Sequence, residues 1–479
     1  MGEMNLMLIL PELFLAIIGM GFLIAGVMQG NRATDVLSWS TCISFVIAAV
    51  ILLRMDTEAT QILNGMLIID DFAITVKILL LLGLTASLAL SIQYLYQERI
   101  ARFEYPVLII FAGIGMMLMV SANNLLGLYM ALELQSLALY VLAAFHRNSL
   151  RSAEAATKYF ILGALSSGML LFGISLIYGF TGSIQFDVIA STLSAQTLIP
   201  PGFTVGMVFV LAAIAFKVSA APFHMWTPDV YQGAPSSVTA FFAIVPKIAA
   251  LAMLIRLLFV PFEAASMQWG QVLYLMAMLS LVVGSFAAIA QDNIKRLMAY
   301  SSIGNMGYAM IGLVAGGAIG ISSVLVFLTV YMFMTAGIFA VILCMRREGI
   351  AVEKISDLAG LSKTQPVLAY IMAALMFSMS GIPPLAGFFG KLFIFEAAIA
   401  QGYYWLATFG IVASVIAAFY YLRIIKVMFF DEPADAFDTG ISVERRIILA
   451  ISLAFILGFI IDPSAIKDTA MIAAESLLS

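Results

Sequence analysis

Charged residues are scarce in this sequence. Lysine, arginine, aspartate and glutamate make up 10% of its 479 residues, whereas 63% of the residues are hydrophobic. A soluble domain usually has about 25% charged and about 45–50% apolar residues, so this chain has too few charges to cover a water-exposed surface. The composition excludes a soluble protein and indicates a chain that lies in the hydrocarbon core of a bilayer.

The residues that build metal, haem and redox sites are also few. Cys42 and Cys344 lie far apart in apolar segments, where we interpret them as buried thiols. His146 and His224 cannot form a zinc or haem cluster alone. The net charge of −4 and the lack of a basic tail give no indication of a nucleic-acid partner. The first charged residue is Glu3, so the apolar stretch that follows is predicted to be a transmembrane helix and not a cleaved signal peptide.

Long apolar segments fill most of the chain. We predict an all-α polytopic membrane protein with about 14 transmembrane helices, at 5–28, 36–53, 72–96, 105–121, 124–145, 154–180, 203–225, 236–260, 269–290, 294–315, 320–345, 365–401, 403–430 and 443–461. Proline removes a backbone donor and clashes with the preceding turn. Helix 7 is therefore predicted to break at Pro222, and helix 12 at Pro383 and Pro384.

Lysine and arginine are concentrated in every second loop. The odd-numbered loops and the adjoining helix ends carry Arg32, Arg99, Arg102, Arg147, Arg151, Lys158, Lys295, Arg296, Arg346, Arg347, Lys354, Lys363, Arg423, Lys426, Arg445 and Arg446. The opposite side has only Arg54, Arg256 and Lys467. Because positive loops stay in the cytoplasm, we expect both termini on the outer, periplasmic side of a bacterial inner membrane. The mitochondrial inner membrane is the alternative.

The two predicted breaks divide the chain into comparable units. Residues 1–100 would form three N-terminal transmembrane helices, 105–260 a first five-helix repeat (helices 4–8), 269–430 a second repeat (helices 9–13), and 431–479 a C-terminal transmembrane helix and tail. Each repeat has its broken helix in fourth place. Since five is an odd number, consecutive repeats would have inverted orientations in the membrane.

Four charged residues are predicted to lie deep in the membrane: Glu133, Lys217, Lys247 and Lys391. A charge at bilayer depth costs roughly 2.5–3.5 kcal/mol on insertion scales, and one glutamate cannot neutralise three lysines. Some of the lysines should therefore be neutral part of the time, as a proton relay requires. The alternative is a buried ion pair that only holds helices together. Lys77, close to the end of helix 3, is interpreted as a lysine that snorkels to the interface.

Five stretches carry a family resemblance: 131–145, 151–168, 216–235, 292–308 and 380–391. In this order they resemble the antiporter-like membrane subunits of respiratory complex I and their relatives in Mrp-type cation/proton antiporters. Within that family the chain looks like the N-type subunits. The M-type has a glutamate where this chain has Lys391, and the L-type has a long C-terminal lateral helix that a chain ending at Ser479 is not expected to supply.

The resemblance implies a role for each buried charge. Glu133 would pair with Lys217, Lys247 would be the central relay lysine, and Lys391 the terminal one. Accessory positions would be His224, Glu154, Lys158, Lys295, Tyr300, Ser301 and Ser302. The titratable residues among them also have structural interpretations. His224 could be a polar histidine with satisfied hydrogen bonds, Glu154 and Lys158 could form a salt bridge at a helix end, and Lys295 could be a positive-inside anchor. Relatives often have a histidine where this chain has Asn305, which cannot titrate.

The resemblance also implies that this chain moves protons and performs no redox chemistry itself. FMN, iron–sulfur clusters and quinone would belong to partner subunits, and the membrane neighbours would be M-type and K/J-type subunits. A Glu133–Lys217 contact would hold a proton on Lys217, and weakening the contact would release the proton toward Lys247 and Lys391. An ion pair at about 4 Å and an effective dielectric constant of about 20 is worth roughly 4 kcal/mol. Alternatives are an Mrp-type sodium/proton antiporter subunit, which mid-membrane aspartates would favour, and a purely structural membrane subunit.

Overall fold

The computed structural model describes residues 6–55 and 59–479, and its regular structure is almost entirely helical. Within these residues the helices α1 to α20 are Leu10–Gln29, Thr34–Leu52, Asp71–Gln97, Glu104–Ser121, Leu125–Ala143, Leu150–Thr181, Phe186–Ser194, Pro201–Val218, Trp226–Gly233, Ser236–Ile244, Pro246–Phe259, Ser266–Ile289, Ile294–Ala315, Gly317–Ile342, Leu361–Thr364, Pro366–Ser380, Ala386–Ala400, Tyr404–Phe430, Val443–Gly458 and Ser464–Leu478. Two short antiparallel hairpins pair β1 (Thr60–Ile62) with β2 (Leu67–Ile69) and β3 (Arg346–Arg347) with β4 (Ile350–Ala351). The predicted all-α class is confirmed. Asn5, where the first predicted helix begins, is outside the described residues.

Ten helical segments in the described ranges are long and apolar enough to cross a membrane. The first, Met7–Leu52, has 46 residues, which is about twice the roughly 20 residues that one crossing requires. It turns at Gly30–Ala33, so that α1 and α2 pack against each other. Large apolar side chains such as Ile43 and Val46 lie exposed on α2, as a lipid-facing surface requires. The chain is a multi-pass membrane protein.

One end of the helix assembly collects most of the lysines and arginines. The last residue of α9, Gly233, lies against Arg151 at the start of α6. Asn293, before α13, forms a β-bridge with Lys354, and the guanidinium of Arg445 donates to the carbonyl of Leu343 at the end of α14. These contacts bring the basic loops to one side of the molecule, which we call the basic face.

Two discontinuities place non-helical backbone inside the helix assembly. The helix α8 ends at Val218 and α9 begins at Trp226, with Pro222 between them. The helix α16 ends at Ser380 and α17 begins at Ala386. Each first half ends on a left-handed residue, Ser219 (φ 66°) and Gly381 (φ 82°).

The predicted eighth helix is not continuous. It consists of α10 and α11, which meet at Pro246. Proline at an interior position removes one backbone hydrogen bond, and the joint falls directly before Lys247. Because Pro246 stands alone in an apolar run, the sequence pattern predicts a single unbroken helix here.

The C-terminal region also differs from the prediction. Instead of one helix and a tail, α19 is followed by α20, which packs along α14 and α3. The backbone N–H of Asp71, at the start of α3, donates to the hydroxyl of Ser476 near the end of α20, at 3.1 Å. Lys467, Asp468 and Glu475 lower the hydropathy of this segment, which explains why the sequence pattern did not indicate a packed helix.

Two buried ion pairs hold the N-terminal helices. Lys77, expected to snorkel, is fully buried, and its Nζ lies 2.6 Å from the carboxylate of Glu12 in α1. Arg256, expected at the membrane surface, is 3% exposed and binds both carboxylate oxygens of Asp70 at 2.8 Å. The prediction that Lys77 snorkels is wrong because the sequence does not show its carboxylate partner on α1. Arg256 lies at an end of α3, where its partner Asp70 is the N-cap.

Candidate functional site

Lys217 lies in the last turn of α8, directly before the first discontinuity. Its Nζ donates to the hydroxyl of Ser136 at 2.7 Å and to that of Tyr140 at 3.3 Å. Both acceptors are on α5, and both lie on one face with Glu133 because they follow it by three and seven residues. The side chain of Lys217 is 8% exposed, so α5 provides the polar surface that receives it.

Glu133 does not touch Lys217 directly. The half-buried carboxylate accepts a 2.5 Å hydrogen bond from Ser167 on α6. Among the residues that the structure describes, no ion pair within 4.0 Å joins the two side chains. The hydroxyl of Ser136, which accepts from Lys217, donates to the carbonyl of Leu132, so the expected direct Glu133–Lys217 contact is not formed in this conformation.

Lys247 is the first residue after Pro246 at the α10–α11 joint and is 1% exposed. Its Nζ donates a short hydrogen bond to the hydroxyl of Ser302 on α13. The same Nζ lies 5.4 Å from the ring centre of Tyr231 on α9, within cation–π distance. Lys247 therefore contacts both α9, which follows the first discontinuity, and the middle of α13.

Lys391 belongs to α17 but binds the end of α16. Its Nζ donates to the carbonyls of Met379 at 3.0 Å and Ser380 at 3.3 Å, and to the hydroxyl of Ser414 at 3.0 Å. The last carbonyls of a helix have no partner within it and carry partial negative charge. The discontinuity thus creates the acceptors that hold Lys391, which also borders a cleft of about 380 Å³.

The glycine at 381 is required by this arrangement. Its φ of 82° is strained for any other residue, and a Cβ there would lie 3.3 Å from the Nζ of Lys391.

The helix α13 supplies polar side chains between Lys247 and Lys391. Ser301 shares a 2.5 Å hydrogen bond with the hydroxyl of Tyr421 on α18, and Asn305 donates to the carbonyl of Ser301 at 2.9 Å. The ring of Tyr308 lies 4.8 Å from the Nζ of Lys391. Tyr300, also expected in this group, is half-buried against the apolar core.

A network of charges lies where α6 meets α9 at the basic face. Lys158 pairs with Glu154 at 2.7 Å and with Asp229 at 2.9 Å, and Arg296 binds the same aspartate at 2.6 Å. A polar cleft of about 210 Å³ opens beside them. Asp229 is not among the predicted site residues, although it is the only acidic residue in the 216–235 stretch.

Two further predicted positions lie near these lysines. His224 lies half-buried in the first discontinuity, and its Nδ1 has no hydrogen-bond partner in the described part of the chain. Lys295, 2% exposed, pairs at 2.6 Å with Glu353, which the sequence analysis did not single out.

The three deep lysines share one chemical feature. Every acceptor of Lys217, Lys247 and Lys391 in the described residues is a hydroxyl or a carbonyl. Such acceptors can serve a neutral amine or an ammonium, and in the described residues no carboxylate lies within 4.0 Å of these amines to offset the cost of burying the positive charge directly. Such an environment suits a group that gains and loses a proton.

Comparisons with known proteins show the family and the overall fold of this chain. The family described as "NADH:quinone oxidoreductase/Mrp antiporter, TM" matches residues 122–417. A protein of Rhodospirillum rubrum named NADH-quinone oxidoreductase subunit N is 52% identical over 98% of this chain and 96% of its own. A chain of respiratory complex I from Thermus thermophilus superposes with a TM-score of 0.82 at 31% identity, over 96% of this chain and 98% of that one. A chain of the Mrp complex from Dietzia sp. DQ12-45-1b has the same fold, with a TM-score of 0.83 at 21% identity over 99% of this chain and 100% of that one.

Proposed function

This chain belongs to the NADH:quinone oxidoreductase/Mrp antiporter transmembrane family, and on that premise we propose that Glu133, Lys217, Lys247 and Lys391 carry protons across the membrane. The chain is an antiporter-like membrane-arm subunit of an NADH:quinone oxidoreductase. Electron transfer, with FMN, iron–sulfur clusters and quinone, belongs to partner subunits, among which we place M-type and K/J-type subunits beside this chain.

One observation carries the proposal. Three lysines, each at least nine-tenths buried, are held only by hydroxyl and carbonyl acceptors in the described residues. A purely structural charge would be expected to have a carboxylate partner, as Lys77 has in Glu12. The same chain thus contains both kinds of buried lysine, and the relay lysines are the ones without a neutralising partner.

The proposed topology has 14 crossings. It counts α1 and α2 separately and adds α13, the α16–α17 pair and the α19–α20 pair to the segments that meet the length and hydropathy criteria alone. The basic face is then cytoplasmic, both termini are periplasmic, and the membrane is the bacterial inner membrane.

An inverted repeat is supported by one recurring contact. In each proposed five-helix unit, the lysine beside the discontinuity of the fourth helix faces an aromatic ring of the second helix. Lys217 lies 5.6 Å from the ring centre of Tyr140 on α5, and Lys391 lies 4.8 Å from that of Tyr308 on α13.

In the proposed cycle, partner subunits alter the surroundings of Glu133 and Lys217 when quinone is reduced. A carboxylate nearer to Lys217 holds its proton, and a more distant one lets the proton move to Lys247 and then to Lys391 and the periplasm. The hydroxyls of Ser302 and Ser301 lie on α13 between the second and third lysines. Water completes the path, since buried polar groups that lack a protein partner are normally satisfied by water.

The substitution Lys247→Ala tests the function. In membranes with an intact complex we expect it to lower NADH-driven proton pumping at least tenfold, while Lys426→Ala, which removes an exposed lysine paired with Asp431, leaves pumping unchanged. Loss of assembly with normal specific activity of the remaining complex would instead support a structural subunit.

A further inference from the structure

The loop after α14 is bonded to the start of α13 at the basic face. The backbone N–H of Ile294 donates to the carbonyl of Glu353, and that of Ile355 to the carbonyl of Asp292, both at 2.8 Å. These two bonds form the bridge between Asn293 and Lys354. They fix Glu353 beside the first turn of α13, so its position does not depend on its own side chain.

The carboxylate of Glu353 has both a solvent-facing and a buried side. One oxygen lies 2.6 Å from the Nζ of Lys295 and 3.5 Å from the hydroxyl of Ser236, and the other accepts from the amide of Asn293 at 3.0 Å. Its side chain is 22% exposed, whereas that of Lys295 is 3% exposed. Lys295 also donates to the carbonyl of Ala234 at the end of α9. The pair therefore spans the boundary between solvent and interior.

A polar line leads inward from this pair. Lys295 and Ser302 are seven residues apart on α13, which is two turns, roughly 10.5 Å along the same face. The hydroxyl of Ser302 accepts from Lys247. Beside them, the hydroxyl of Tyr231 is buried without a hydrogen-bond partner among the described residues. Because buried hydroxyls are nearly always satisfied, by water where protein does not reach, this one marks a place for water next to Lys247.

The charge network around Asp229 is less suited to proton uptake from the cytoplasm. Asp229 is held by two cations, Lys158 and Arg296. Directly inward, the rings of Tyr159 and Trp226 stack at 4.4 Å, and the Trp226 N–H is already bound to the carbonyl of Phe216. An aromatic layer therefore separates this cleft from Lys217.

We propose that Glu353 is the carboxylate that takes up protons at the cytoplasmic face and supplies them to Lys247; this inference rests on the proposed function. The Glu353 carboxylate binds a proton from solvent and becomes a neutral acid, which weakens its contact with Lys295. The proton then passes through water to the neutral amine of Lys247, which becomes an ammonium, and Glu353 returns to the carboxylate.

The test compares Glu353→Gln, Glu353→Asp and Glu353→Ala in the assembled complex. Glutamine keeps the size and acceptor oxygen of the side chain but cannot carry a proton, so Glu353→Gln should lose at least half as much NADH-driven pumping as Lys247→Ala loses. Glu353→Asp should keep more pumping than Glu353→Gln. Glu348→Gln, an isosteric change at an exposed position of the same loop, should pump normally.

Added formate separates proton transfer from a structural role. Formate supplies a small carboxylate that fits the space left in Glu353→Ala, so pumping should rise at least twofold there and not in Glu353→Gln, where the amide fills the space. Normal pumping in Glu353→Gln beside a defective Lys247→Ala would overturn this inference and leave the proposed function standing. Normal pumping in Lys247→Ala would overturn both. If Glu353→Ala does not assemble, the isosteric Glu353→Gln decides.

Discussion

Lys217 and Ser136 are joined by a 2.7 Å hydrogen bond from the lysine Nζ to the serine hydroxyl. Ser136 lies one turn along α5 from Glu133, whose carboxylate is held by Ser167 on α6. Ser136 therefore contacts Lys217 from the helix face that also carries Glu133, and it is a position at which the surroundings of Lys217 can be altered without removing either charge.

Replacing Ser136 by alanine should weaken the first step of the relay. A hydrogen bond to a charged group is worth about 1.5–3 kcal/mol, and about 1.4 kcal/mol corresponds to a factor of ten. We expect Ser136→Ala to lower the initial rate of NADH-driven acidification of inverted vesicles about tenfold, and Ser136→Thr to retain most of it. Ser87→Ala, which removes a buried hydroxyl bound only to its own helix, is the control. Equal rates in the two alanine variants would contradict the role of Ser136.

The discontinuity at Gly381 can be tested with a matched glycine. Alanine at a left-handed position costs roughly 1–2 kcal/mol, and at Gly381 its Cβ would also press against Lys391. Gly402 has a similar φ of 80°, but a Cβ on it would meet only open space. Gly381→Ala and Gly402→Ala should lose similar thermal stability, but only Gly381→Ala should lose pumping, by several-fold. Similar pumping in both variants would show that the function of Lys391 does not depend on the backbone conformation at Gly381.

Lys77 should behave as a structural charge. Removing one partner of a buried ion pair costs about 3–5 kcal/mol because the other charge stays uncompensated. Lys77→Met alone should therefore reduce the amount of assembled complex, and Lys77→Met with Glu12→Gln should restore it, with normal pumping per assembled complex. Blue native gels and vesicle assays measure the two quantities. A pumping defect in the assembled double variant would assign Lys77 to the relay.

The sequence alone predicted the elements that depend on composition and on single strong signals. The apolar runs indicated the all-α membrane class. The deep lysines were evident because a charge within such a run is costly and usually has a function. The partners in the buried ion pairs could not be predicted. Glu12 and Lys77 are 65 residues apart in the chain, and only the packing of α1 against its neighbours shows that they meet.

The missed features share a physical cause. Lone signals such as Pro246 do not reveal a helix joint, and α20 is too rich in charge to be indicated by hydropathy. Glu353 lies in a loop that is polar in any membrane protein, so no local pattern distinguishes it. Its position follows from backbone bonds to the start of α13, which lies far from it in the chain.

The proposed sidedness can be measured with thiol reagents. Both native cysteines are buried, so the background is low. Glu348→Cys, in the basic-face loop, should react with a membrane-impermeant maleimide in inverted vesicles, and Thr197→Cys, before α8, only in right-side-out ones. Both positions are exposed in this chain. The reverse pattern would place the basic face in the periplasm.

The most direct test of the relay measures the rate of NADH-driven proton pumping and the rate of NADH:quinone turnover together in assembled complexes that carry Lys217→Ala. We predict that proton pumping and coupled NADH:quinone turnover both fall at least tenfold while the complex remains intact. Normal turnover with an unchanged proton-to-electron ratio would contradict this prediction and would make Lys217 a structural charge.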